Sequence, residues 1–186
     1  MAALNKLHLP KPLRYSEDID LVRTTAGPIG PVLDAVRGVL QPWLGQACFD
    51  QSDVAPKLRF RVPAEDQSPP ALIRLKVEIK TRETTAFDPP RIIPFAVKNP
   101  WFSGKADIGT FSNEELLATK LRALLQRDKG RDLIDLSHAR MTLQGLNATR
   151  VVACLQQYLD QSSMTISRAQ ARRAHVGQAC QSRLHG

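Results

Sequence analysis

The sequence predicts an α+β protein in which strands come first and helices follow. Two observations carry that prediction. Between Lys57 and Glu83, "KLRFRV" and "ALIRLKVEIKTRE" alternate apolar and polar residues with the two-residue period of strands. From Ser112 to about Asp160 the apolar residues recur instead at helical spacing. A chain of 186 residues suits roughly one domain, and 42% apolar content is enough to build a core. The expected division is an α/β core over 1–111 and a helical lobe over 112–186, the two forming one compact unit.

Taken in order, "DIDLV" after the acidic stretch "RYSEDIDL" alternates and reads as a strand over Asp18 to Val22. In "PIGPVLDAVRGVLQPWLG", Val32, Leu33, Val36, Val39, Leu40 and Trp43 fall at helical spacing behind opening prolines, so a helix is expected from about Pro31 to Trp43. "KLRFRV" and "ALIRLKVEIKTRE" are separated by the breaker-rich "PAEDQSPP" and make an antiparallel pair. "IIPFAVK" at Ile92 to Lys98 and a piece around Ala106 to Phe111 are shorter strand candidates; Pro94 suits an edge. Ser112, with Glu115 three residues on, reads as a capping box for a helix carrying Leu116, Leu117, Lys120, Leu121, Leu124 and Leu125, with Gly130 as its left-handed C-terminal cap. Further helices are expected over Asp132 to about Arg140 and Ala148 to about Asp160. The last of these puts Val151, Val152, Leu155, Tyr158 and Leu159 on its apolar side. The tail beyond Asp160 carries Arg168, Arg172, Arg173 and Arg183 and no acid, which reads as a basic helix or a frayed end.

Lys and Arg number 26 against 18 Asp and Glu, a net charge of +8, which favours a polyanionic partner such as nucleic acid or nucleotide phosphate. Cys48, Cys154 and Cys180 are odd in number and widely spaced, so they suggest neither a disulfide framework nor a zinc site and fit a reducing cytoplasm. The N-terminus lacks an apolar signal core, and no run approaches the roughly 18 apolar residues of a membrane span. The reading is a soluble cytoplasmic protein with no membrane partner.

In a strand over Asp18 to Val22, Asp18 and Asp20 project from one face and Ile19 and Leu21 from the other. Two neighbouring carboxylates repel unless a cation bridges them; a solvated strand edge explains the same D-x-D pattern. Ile73, Leu75, Val77 and Ile79 form an apolar strand face, while Arg74, Lys76, Glu78 and Lys80 point the other way. A charged sheet face with cross-strand pairs accounts for this. Pairing beside Asp18 to Val22 would instead let Glu78 complete a three-carboxylate set able to hold magnesium by oxygen ligands. Lys120 lies near the apolar side of its helix, where a lysine can snorkel. Arg131, Asp132 and Asp135 follow closely, and Asp132 and Asp135 share a helix face. An N-cap and a salt bridge explain these two aspartates. A lysine and an arginine aimed at a triphosphate, with aspartates behind them, explain the group functionally.

Together, "RYSEDIDL", "LKVEIK" and "EELLATKLRALLQRDKGRDLIDL" resemble the AbiEii/AbiGii-type nucleotidyltransferase toxins, a bacterial branch of the DNA polymerase β-like nucleotidyltransferase superfamily. The resemblance runs from about Ala2 to Tyr158. It implies a minimal nucleotidyltransferase mixed sheet with flanking helices, followed by a helical lobe. It also implies magnesium- or manganese-dependent transfer of a nucleotide from an NTP to an acceptor, with tRNA the expected acceptor and a cognate antitoxin the expected partner, in toxin–antitoxin or abortive-infection phage defence. Asp18 and Asp20 match the metal-binding pair, Arg14 and Ser16 its lead-in, and Glu78 the third carboxylate. Lys120 matches a lysine contacting nucleotide phosphate; Arg131, Asp132 and Asp135 match a late R-D-x-x-D motif whose last aspartate is expected to be needed for activity. Ahead of "ALNKL" only Met1 and Ala2 stand where the family has Gly-Gly-Thr or Gly-Gly-Ser, so a sequence cut short at both ends is expected. The alternative is an inactive remnant of the fold that binds RNA or a partner protein.

Overall fold

The computed structural model describes residues 3–9, 18–50, 55–64, 71–81, 86–100, 102–126 and 130–162. The basic tail with its four arginines lies outside these residues. The architecture is a mixed α+β fold, and the chain divides into two compact units: Met1–Ala2 with Arg14–Ala86, and Ala3–Leu13 with Phe87–Gly186.

The first unit is built on a four-stranded mixed sheet. Its strands are β1 (Asp18–Val22), β2 (Cys48–Asp50), β3 (Lys57–Pro63) and β4 (Leu72–Lys80), in the order β1-β4-β3-β2. β4 runs antiparallel to β3 and parallel to β1. A parallel pair cannot be closed by a tight turn and needs a crossover. Here the crossover leaves β1 through α1 (Gly30–Leu44), which ends at Gly45 with φ 79°, a left-handed value that glycine adopts without a Cβ penalty.

The alternation read from the sequence decides which face α1 covers. Leu58, Phe60, Val77 and Ile79 point to one side and are buried with Leu33, and Val32, Val36, Leu40 and Leu44 of α1 pack around them. Each such side chain contributes about 1.5–3 kcal/mol by leaving water. Val39 and Trp43, expected on the same helix face, are exposed instead; the Trp43 indole donates to the Val39 carbonyl at 3.0 Å. β2 has only three residues, too few for its period to stand out in the sequence.

The second unit holds a separate hairpin of β5 (Arg91–Lys98) and β6 (Ser103–Thr110), with Pro94 opposite Asp107. Its helices are α2 (Asn113–Gln126), α3 (Gly130–Thr142) and α4 (Ala148–Gln161), with α2 packed against both others. A short π-helical turn, Leu4–His8, joins the same core through Leu4 and Leu9, which meet Leu117, Ala118, Ala139, Val151, Cys154 and Tyr158.

Three expectations need correction here. Gly130 is the first residue of α3 and lies in that helix, so it is not the cap of α2. Ser112 caps α2 by accepting from the Glu115 amide at 3.1 Å, but the Glu115 carboxylate is turned to other donors, leaving the capping box half formed. On α4, Val152 is exposed and Cys154 takes the core position.

Candidate functional site

The face of the first unit's sheet opposite α1 carries the predicted carboxylates, which are half-buried there. The parallel register sets Asp18 beside Lys76 and Asp20 beside Glu78. The antiparallel register on the other side of β4 sets Lys57 beside Glu78, Arg59 beside Lys76, and Arg61 beside Arg74. Strand period two puts all these side chains on one face.

Lys76 is the hub of this face. Its Nζ lies 3.4 Å from Asp18 Oδ1 and 3.2 Å from Glu78 Oε2, so an ammonium already bridges a β1 carboxylate to a β4 carboxylate. Burial pulls the Lys76 pKa down, but its hydrogen bond to Glu78 and the charge of Asp18 outweigh that and hold it above the usual lysine value. Across the strand pair, Arg59 turns away to Asp50 at 2.8 Å. Like charges are thereby kept apart, with Lys76 serving β1 and Arg59 serving β2.

Asp18, Asp20 and Glu78 offer only hard oxygen donors, and two of them already grip a cation. That chemistry suits magnesium, which takes one or two protein carboxylates and completes its octahedron with substrate phosphate and water. Among the described residues no group of three or more His, Cys, Asp or Glu side chains is drawn together as a ready-made metal cage.

The second unit contains the other predicted residues, in its interior. Lys120 is 1% exposed, and its Nζ donates to Asp132 Oδ1 at 3.0 Å and to Asp135 Oδ2. Asp135, fully buried, also accepts from Asn5 Nδ2 at 3.4 Å, which ties the N-terminal turn to α2 and α3. The i, i+3 spacing puts both aspartates on the inner side of α3, and Lys120 meets them from α2. It does not snorkel. Contact between Lys120 and a nucleotide phosphate, the role the resemblance implies, requires the ammonium to leave two buried carboxylates. Arg131 belongs to α3, but its side chain is outside the described set, as are Arg14 and Ser16.

Reading the sequence missed a polar cluster at the point where the chain re-enters the second unit. Glu115, with no exposed surface, accepts from the Phe87 amide at 2.9 Å, the Asp88 amide at 3.1 Å and the Tyr158 hydroxyl at 2.8 Å. Arg150 donates from Nε to Asp88 at 2.8 Å and from Nη2 to the Phe87 carbonyl at 3.1 Å, and the Phe87 and Tyr158 rings meet edge to face. The signal for it was a glutamate in the first turn of an otherwise apolar-faced helix, which capping alone explained.

The two units thus define an α+β protein whose mixed sheet presents a charged face of acids held by a lysine. A family model described as nucleotidyl transferase AbiEii toxin, type IV toxin–antitoxin system, matches residues 2–179, and the chain belongs to that nucleotidyltransferase toxin family. No curated protein and no solved structure gives a match. Membership in a type IV toxin–antitoxin family brings with it a cognate antitoxin. No helix among the described residues is long and apolar enough to cross a membrane.

Proposed function

We propose that this toxin-family protein transfers a nucleotide from an NTP to an RNA acceptor, tRNA being the class implied by the family resemblance, in the cytoplasm and with magnesium or manganese. The observation that carries this reading is the register that stands Asp18 and Asp20 of β1 beside Lys76 and Glu78 of β4 on one sheet face.

Asp18, Asp20 and Glu78 would hold the cation. Bound there, it supplies charge neutralisation at the phosphates and lowers the pKa of the attacking hydroxyl. The acceptor hydroxyl attacks the α-phosphorus in line; the new bond is acceptor oxygen to phosphorus, and the bond to the β-phosphate oxygen breaks, releasing pyrophosphate. A carboxylate of the same face receives the hydroxyl proton. The sheet contributes position, since strands fix their side chains more closely than loops do. Lys120, Asp132 and Asp135 support the reaction by holding α2, α3 and the N-terminal turn together.

The acceptor assignment is supported by charge. A net +8 favours a polyanion, and Lys57, Arg59, Arg61, Arg74 and Lys80 share the sheet face with the carboxylates. Isothermal calorimetry of the full chain with each NTP, with and without magnesium, tests the first step. Magnesium-dependent binding that is lost in Asp18→Asn and Asp20→Asn is expected. NTP binding indifferent to both substitutions would refute the assignment.

A further inference from the structure

Arg61 and Arg74 stand directly opposite each other on β3 and β4. Directly paired residues in an antiparallel ladder have Cβ atoms about 4.5–5.5 Å apart, and like charges in that position destabilise the sheet. The other central bases of this face are compensated. Lys76 is paired with Asp18 and Glu78, and Arg59 with Asp50. Arg61 and Arg74 are both exposed, and their side chains make no ion pair or hydrogen bond among the described residues. Two uncompensated guanidiniums side by side form a surface that an anion relieves, and the planar guanidinium fork matches phosphate oxygens.

Their place relative to the carboxylates narrows the anion. Arg74 is two residues along β4 from Lys76 and four from Glu78, about 7 Å and 13 Å at strand rise. A triphosphate whose α-phosphate sits at Asp18, Asp20 and Glu78 has only two further phosphates and does not run on past the arginines. An RNA strand whose terminal hydroxyl is delivered to those carboxylates does, because its backbone continues away from them phosphate by phosphate.

We infer that Arg61 and Arg74 form a clamp for the phosphodiester backbone of the acceptor RNA strand, one or two nucleotides behind the reacting hydroxyl. This rests on the transferase reading above and adds the surface by which the acceptor is held. The clamp reads backbone rather than base, so it contributes affinity and alignment without sequence preference.

The test uses the full chain, a fluorescently labelled single-stranded RNA oligonucleotide and anisotropy titrations across a range of salt concentrations. Each phosphate contact to a single strand contributes about 0.7 to the slope of log affinity against log salt, so Arg61→Gln/Arg74→Gln should lower that slope by about 1.4. The same double variant should bind magnesium–NTP as the parent does and melt no lower, because a repulsive pair has been removed. Lys105→Gln, an exposed base on β6, should leave the RNA slope unchanged. An RNA slope unaltered by the double substitution, or lowered equally by Lys105→Gln, overturns the clamp. Lost magnesium–NTP binding in the double variant overturns it as well, since the pair would then serve the triphosphate. Absence of magnesium–NTP binding in the parent itself is the separate failure of the transferase reading.

Discussion

Asp20 and Glu78 stand opposite each other on adjoining parallel strands, and Lys76, two residues before Glu78 and beside Asp18, reaches into the space between the strands' acids. The sheet thus brings carboxylates together from positions 58 residues apart and balances them with a cation of its own. A divalent ion held there, as proposed, would compete with the Lys76 ammonium for the same carboxylate oxygens.

That competition gives the first prediction. Lys76→Gln should lower the melting temperature in the absence of divalent cations, by the equivalent of about 1 kcal/mol or less for a partly exposed pair. It should also enlarge the rise in melting temperature that magnesium or manganese produces, while Lys76→Arg, which keeps the charge, should not enlarge it. Differential scanning fluorimetry with and without the metal reads both effects.

Lys120 carries the second. With Lys120 and Asp135 at 1% and 0% exposure, Lys120→Met removes the ammonium that the two buried carboxylates share. Breaking a buried pair from one side costs about 3–5 kcal/mol, whereas neutralising every member with side chains of similar size is far less costly. Urea unfolding should show the large loss for Lys120→Met and recovery of most of it in Lys120→Met/Asp132→Asn/Asp135→Asn. Loss of activity at Lys120 or Asp135 should therefore be accompanied by loss of stability.

The third concerns pH. Burial, and then the positive charge of Arg91, hold the His8 pKa below its usual 6.5. The unfolded chain binds the His8 proton first as pH falls, so this group's contribution to stability is complete above about pH 6.5 and is lost as pH drops through the folded-state value. His8→Gln should flatten that part of the stability–pH curve, measured by urea midpoints between neutral pH and the onset of general acid unfolding.

Much of the sheet was legible because strand alternation needs only local sequence. "LIRLKVEIK" gave the face on which Val77 and Ile79 are buried, though Ile73 of the same face is exposed, and the outward glutamate, which parallel pairing with β1 places beside Asp20. The second unit was less legible, because its key facts are tertiary. Helical spacing placed Asp132 and Asp135 on one face of α3, but nothing local revealed that the face is buried or that Lys120 lies against it. Asn5 sits in a five-residue turn, too short for any period to mark, and joins Asp135 from 130 residues away. Glu115 was read as a cap because the local pattern fits one; its carboxylate instead holds the Phe87 and Asp88 amides, a contact visible only once the chain has folded back.

Transfer of label from α-phosphate-labelled NTPs to RNA by the full chain in magnesium, with γ-labelled NTPs in parallel, tests the nucleotidyltransferase assignment most directly. RNA labelled only from the α position is expected, with pyrophosphate released and labelling abolished by Asp20→Asn. Absence of label from every NTP, label arriving from the γ position, or undiminished labelling by Asp20→Asn would contradict it.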